Sequence, residues 1–332
     1  MGAAMHLSDR VGRRMKLQDL HVLMTVVKAG SMGKAAERLN TSQPSVSRSV
    51  AELEHAVGVR LLDRDRQGVQ PTEFGRALLN CGAAVFDDLR QGMENIEFLA
   101  DPGTGEVRIG SIIPLAAGFV SAAIDRLSRR YPGLVFRIVA TEAESLHREL
   151  CERHVDLVIV KRIGPFSEEQ FSFETLFYDS YVVVAGQRHP WAKRRTIALA
   201  ELMSQSWVLP PPETVPGAAV VAAFRSCGLD YPRVTVLTLP SEVRAGLLAT
   251  GRFLTLFPTS ALRFSTDGPA LKVLPVELPV PPVPVGIVTL KNRTLNAAAT
   301  LFIEQAREVA QPPTRNGKGR PSRPAPNIPQ RK

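Results

Sequence analysis

Residues 31–54, SMGKAAERLNTSQPSVSRSVAELE, read as two short helices separated by a tight turn. Ser31 is placed to cap the first, and Ala35, Ala36 and Leu39 give it an apolar edge small enough for close packing. Asn40 and Thr41 stop it. Ser42 caps the second helix, and Pro44 falls in its first turn, where a missing N–H leaves no bond unmade. Val46, Val50, Leu53 and Val57 then recur at spacings of four, three and four, which predicts one buried stripe. At about 100° per residue, Pro44 and Arg48 fall opposite that stripe, with Ser45 and Glu52 beside them and Ser47 on the flank. The exposed N-terminal patch is therefore Gln43, Pro44, Ser45, Ser47 and Arg48. A helix that reads a DNA major groove needs this layout, because its N-terminal residues meet the base edges. Gln can pair bidentately with adenine, Arg with guanine, and a Pro ring can touch the thymine methyl. Taken alone, the segment also fits an ordinary helical hairpin with a solvated polar face.

The flanking sequence favours the first reading. Leu17, Leu20, Leu23, Met24 and Val27 predict a preceding helix that ends at Gly30 and completes a three-helix core. After Gly58, residues 59–72, VRLLDRDRQGVQPT, hold two short extended pieces that read as a wing with Arg64 and Arg66 at its tip. Those cations suit phosphate or minor-groove contact, partly offset by Asp63 and Asp65. Thr72 then opens a helix to about residue 100. Along it, Phe74, Leu78, Cys81, Val85, Leu89, Met93, Ile96 and Leu99 form a coiled-coil-like seam. At roughly 40 Å it exceeds what one small domain covers, which implies a partner helix from a second copy. Gly82 and Gly92 each weaken it by about 1 kcal/mol.

DPGTG at residues 101–105 marks a boundary, and beyond it the pattern becomes alternating strand and helix. Strands are expected at 107–110, 135–140 and 156–160, with helices at 114–130 and 143–153, a βαβαβ rhythm that predicts a parallel sheet. A second cycle runs from a strand at 181–185 to one at 253–257, and 285–290 with 295–309 returns to the first lobe. Ligands in open α/β sheets bind beyond the carboxyl ends of the strands. That singles out Ser111, Ile112, Thr141 and Lys161 in one lobe and Pro211, Glu213, Thr238 and Leu239 in the other. Ser111, with the N–H groups near Pro114, could hold an anion, and Lys161 could pair with a carboxylate; a cap and a surface charge are the plainer alternatives. An organic acid, a sugar-derived compound and an aromatic acid all fit this much.

At 332 residues the chain should hold two or three compact units. Its net charge of +9 lies mostly in the ends. Residues 311–332 carry Arg315, Lys318, Arg320, Arg323, Arg331 and Lys332 with no acid, and residues 1–14 add +2. The body is close to neutral, so the high pI is no independent sign of nucleic acid, although basic tails add phosphate attraction. Cys81, Cys151 and Cys227 show no metal-ligand spacing and fit reduced thiols. No apolar run has the length of a membrane span, and residues 1–14 lack the apolar core of a signal peptide, so a cytoplasmic protein is expected.

The motifs SxxxAAERLNxSQPSVSRxxxxLE and VRLLDRxxxGVxPTxxG, together spanning most of residues 16–76, resemble the DNA-binding domain of LysR-type transcriptional regulators. The resemblance extends with less specific motifs over about 16–310. It implies a winged helix-turn-helix at 15–72, a linker and dimerisation helix at 73–101, and a two-lobed α/β effector domain like a periplasmic binding protein at 106–310. Lobe 1 would comprise about 106–181 and 286–310, lobe 2 about 182–285. Between a flexible 1–14 and a disordered basic 311–332, Gln43, Pro44, Ser47 and Arg48 would read bases. Thr41 and Ser42 would approach the backbone, with Ser45 beside them and Arg64 and Arg66 on the wing. Implied partners are double-stranded promoter DNA, a second copy through the linker helix, commonly in a tetramer, and RNA polymerase. A small-molecule inducer is implied, without cofactor, metal or membrane. Two other classes compete: an α/β enzyme, opposed by the lack of a P-loop, GxSxG or HExxH, and a solute-binding protein, opposed by the N-terminal module.

Overall fold

The computed structural model describes residues 15–65, 68–163, 167–264 and 271–311. The first three helices are α1 (Leu17–Ala29), α2 (Met32–Arg38) and α3 (Gln43–Val57). Gly30 ends α1 in the left-handed conformation, and the Ser31 hydroxyl accepts the Lys34 N–H to start α2. Asn40, at φ 49, makes the turn, and Ser42 accepts the Ser45 N–H at 3.3 Å to start α3. Val46, Val50 and Leu53 are buried with Leu23, Val26 and Ala35. Each of these valines and leucines contributes roughly 1.5–3 kcal/mol. Val57, expected on the same stripe, ends α3 and is exposed, because the core stops one turn before the helix does.

The wing is an antiparallel pair, β1 (Leu62–Asp65) and β2 (Gly68–Pro71). It is held on both sides. The Glu54 carboxylate accepts the N–H groups of Leu61 and Leu62, and the Val69 N–H donates to the Gly30 carbonyl. A Cβ on Gly75 would lie 2.0 Å from the Leu61 carbonyl oxygen, so the wing and the next helix meet where only glycine fits.

That helix, α4 (Glu73–Ala100), is capped by Thr72 and runs 28 residues. Gly82 is not a mere weakness in it: Leu20 and Met24 of α1 approach to 3.1 Å of where its Cβ would stand, so the linker helix docks there. Of the expected seam, Leu78 packs on the core of the first three helices, whereas Phe74, Leu89, Met93, Ile96 and Leu99 are left 49–80% exposed in the single chain.

Two five-stranded sheets follow. Lobe 1 comprises β3 (Thr104–Ser111), α5 (Ile113–Leu115, a π-helical Ala116–Val120, then Ser121–Arg130), β4 (Gly133–Ala140), α6 (Ala143–Cys151), β5 (Leu157–Lys161) and β6 (Phe171–Asp179). Lobe 2 comprises β7 (Tyr181–Gly186), β8 (Ser206–Leu209), α7 (Val215–Ser226), β9 (Val234–Leu237), α8 (Ser241–Ala249), β10 (Phe253–Pro258) and β11 (Leu271–Val273). Short α9 (Thr259–Arg263) follows β10 and leads Phe264 onto Phe119 and Phe177 of lobe 1, and β12 (Val283–Leu290) with α10 (Ala297–Ala310) completes that lobe. The strand orders are β4-β3-β5-β12-β6 and β11-β7-β10-β8-β9.

Neither sheet is wholly parallel, contrary to the βαβαβ expectation. β3, β4 and β5 run together, as do β8, β9 and β10, but β12 is antiparallel to β5 and β7 is antiparallel to β10. The reason is topological. A strand that arrives from the other lobe enters at the edge where the parallel strands end, so it must run against them. Strands β6 and β11 were not anticipated from sequence. Residues 143–153 stop being helical at Cys151, and Arg153 takes φ 60.

Candidate DNA-reading face and effector cleft

The burial of Val46, Val50 and Leu53 fixes the rotation of α3, and the opposite side follows from it. Thr41, Ser42, Gln43, Pro44, Ser45 and Arg48 are exposed and Ser47 is half-buried. Ser42 is partly occupied, since its hydroxyl caps α3 and lies 2.9 Å from that of Ser45. Among the described residues Arg48 has no ion-pair partner, so its guanidinium fork is available to a base or phosphate. The Arg64 backbone lies in β1 opposite Val69. Arg66 lies outside the described residues.

The carboxyl end of β3 leads into α5 and that of β10 into α9, and these two helices pack on each other at the lobe boundary. Ser111, Ile112 and Thr141 come together there: Ser111 pairs in register with Ala140, and the Thr141 N–H donates to the Ser111 carbonyl. Pro211, Glu213, Thr238 and Leu239 likewise cluster at the ends of β8 and β9, where the Thr238 N–H donates to the Leu209 carbonyl. Glu213 and Leu239 are exposed and Thr238 half-buried.

Two of the expected residues are used internally. Ser111 is fully buried and neither caps a helix nor points its hydroxyl outward; Oγ donates to the carbonyls of Ile159 and Ile112 at 3.2 Å. Lys161 is not a free cation. Its Nζ lies 2.9 Å from Asp179 Oδ2 and 5.2 Å from the Tyr181 ring centroid. The Asp179 carboxylate also accepts the Ser260 N–H at 2.9 Å, the Ser260 hydroxyl at 2.6 Å and the Thr259 hydroxyl at 2.8 Å. Burial alone would raise the Asp179 carboxyl, but the Lys161 charge and the Ser260 hydrogen bonds hold it below the usual carboxylate range. Asp179 thus ties the end of β6 in lobe 1 to the start of α9, and the Ser180 N–H at the chain crossing donates to the same Thr259 hydroxyl. Beside it, burial and the Asp179 charge push the Tyr181 hydroxyl up against the opposing charge of Arg244.

A third polar centre joins the linker helix to lobe 1, and sequence reasoning missed it. Arg293 donates to both Asp87 oxygens, at 2.6 and 2.9 Å, and to Asp156 at 2.8 Å. Arg90 and Arg153 also reach Asp87, and Arg108 reaches Asp156 at 2.7 Å. Burial would raise the Asp87 carboxyl, but hydrogen bonds from Arg293, Arg90 and Arg153 and the Arg293 charge bring it down to about 2. Asn296 caps α10 while its amide reaches Glu94 of the linker helix. The signal in the sequence was Asp87 and Gln91, one turn apart on the side of α4 away from the apolar seam; both are buried.

A family model described as the bacterial regulatory helix-turn-helix protein of the lysR family matches residues 17–76, and the LysR substrate binding domain matches residues 100–311. The chain belongs to the LysR family. It is a LysR-type transcriptional regulator with a helix-turn-helix DNA-binding domain and an effector-responsive substrate-binding domain. This LysR-type chain is 25% identical over 304 residues to an uncharacterized HTH-type transcriptional regulator, YdcI of Escherichia coli, covering 92% of this chain and 99% of that one. It is 27% identical over 290 residues to the transcriptional dual regulator GltC of Bacillus subtilis, covering 87% and 96%. Its fold is that of full-length OxyR from Pseudomonas aeruginosa, with TM-score 0.62 and 23% identity over 90% of this chain and all of that one. Full-length CbnR in complex with its target DNA superposes with TM-score 0.58 at 18% identity, covering 89% of this chain and 100% of that one.

Proposed function

We propose that this regulator reads double-stranded promoter DNA with Gln43, Pro44, Ser47 and Arg48. Thr41, Ser42 and Ser45 approach the backbone, and Arg64 and Arg66 of the wing add phosphate or minor-groove contact. The observation that carries this reading is the exposed N-terminal patch of α3, held in place by Val46, Val50 and Leu53 on the opposite side. A small molecule in the cleft bounded by Ile112, Thr141, Pro211, Glu213, Thr238 and Leu239 sets the angle between the lobes, with Ser111 and Lys161 as internal supports. No cofactor takes part and no reaction is catalysed. The working form is a homodimer through the linker seam, assembled further into a tetramer, acting in the cytoplasm with RNA polymerase as a further partner. In support, the helix-turn-helix family match over residues 17–76 requires access to DNA.

Gel-shift titration on the DNA upstream of the protein's own gene, beside a scrambled control, tests the DNA reading. Arg48→Ala or Gln43→Ala should cost about 1–3 kcal/mol of discrimination, roughly 5- to 150-fold, while dimerisation persists. Equal affinity of wild type and variants for both DNAs would reject the assignment.

A further inference from the structure

Arg244 on α8 is 7% exposed, yet no carboxylate lies within ion-pair distance of it among the described residues. Nη1 donates to the Leu256 carbonyl at 3.2 Å, the guanidinium carbon lies 4.6 Å from the Phe257 ring centroid, and Nε has no acceptor at all. The contrast with Arg293 is direct: that equally buried guanidinium sits between two aspartates. A guanidinium does not deprotonate in a protein, so burial leaves Arg244 as a cation with no carboxylate in contact, the charge of exposed Glu242 on its own helix reaching it only from a distance. Such a charge is unfavourable until an anion meets it.

Its place in the fold says where that anion would come from. Helix α8 starts just beyond Thr238 and Leu239, at the carboxyl end of β9; Leu256 and Phe257 are the last residues of β10 before Pro258 at the same edge of the sheet, and Tyr181 opens β7 there in register with Pro258. From lobe 1, Lys161 reaches the Tyr181 ring, but Asp179 already neutralises it. Lys161, Asp179 and Arg244 together leave one buried positive charge at the lobe boundary, which solvent-screened Glu242 offsets only in part.

We infer that the effector of this regulator is a small organic carboxylate, and that Arg244 is the group that pairs with it. The inference rests on the reading of the cleft as the effector site and adds the ligand's charge and its anchor.

The test uses the full-length chain as wild type, Arg244→Met and Arg244→Lys, in thermal unfolding at matched ionic strength. The probes are succinate, benzoate and inorganic phosphate, with succinamide and benzamide as neutral counterparts, each at about 10 mM, where a binder of the folded form raises the melting temperature. The expected result is a rise of about 2–4 °C in wild type for a carboxylate and not for its amide. Arg244→Met should lose that rise and, without ligand, melt no lower than wild type, since it buries no unpaired charge. Arg244→Lys should keep part of the response. A response to phosphate alone, no response to any probe, or a low-melting Arg244→Met beside a wild type indifferent to carboxylates would overturn the inference. Equal rises for carboxylate and amide in wild type and Arg244→Met would overturn the charge assignment while leaving the effector site itself standing.

Discussion

Asp87 shows what a single carboxylate does in this chain. Its folded-state value of about 2 lies below the ordinary 3.8, so it stabilises the fold above about pH 4 and that contribution fades as pH falls from 4 toward 2. The size is about 2 kcal/mol. Arg293, with its guanidinium fully buried, would keep Asp156 as its one charged partner beside the Val155 carbonyl in an Asp87→Asn variant, which should lose about 3 kcal/mol and flatten the acid limb of the stability profile. Urea unfolding at pH 7 and pH 3 measures both effects; a variant whose deficit is the same at the two pH values would contradict the assignment. Such residues were the least legible part of the sequence. Asp87 and Arg293 are 206 positions apart, and nothing local distinguishes either from a solvated charge. The exposure of Ser42, Pro44 and Arg48 was legible because cap, proline and polar patch all fall at the start of one helix, whose rotation a few valines settle. Lys161 pairs within the chain because Asp179 lies in a strand the sequence pattern did not reveal, and Ser111 turns inward because its buried hydroxyl finds the Ile159 and Ile112 carbonyls.

Among the elements, the linker helix makes the plainest demand. Leu89 and Met93 are 49% and 58% exposed in the single chain, and a row of such residues is unstable in water unless covered. Leu89→Glu with Met93→Glu should shift the protein toward monomer in sedimentation velocity, with helical circular dichroism retained and operator affinity lowered at least about tenfold through lost bivalency. A dimer unaffected by both charges would place the self-contact elsewhere. Helices were readable to within a few residues because their apolar spacing is regular. Strand β6 was not: Phe171–Asp179 alternates Phe171, Phe173 and Thr175 with Ser172, Glu174 and Leu176, a mixed edge pattern that lacks the apolar run of β5. β11 is three residues long and too short to carry any period.

Over the whole molecule, charge and topology act at different ranges. Deleting residues 312–332, which hold Arg315, Lys318, Arg320, Arg323, Arg331 and Lys332, should lower affinity for scrambled DNA and reduce the slope of log affinity against log salt, while operator preference stays the same. An unchanged slope in a salt-series titration would reject that role. The sheet order carries a different consequence, one for synthesis. β12 lies between β5 and β6, so β6 leaves the ribosome with no neighbour to bond and must wait for residue 283. At about 5–20 residues per second that interval is roughly 5–20 s, during which lobe 2, whose strands all lie within it, can close first. The nascent regulator thus acquires its DNA-reading module at the outset and the lobe that anchors it last, and for those seconds a bare strand edge is the surface a chaperone would have to guard.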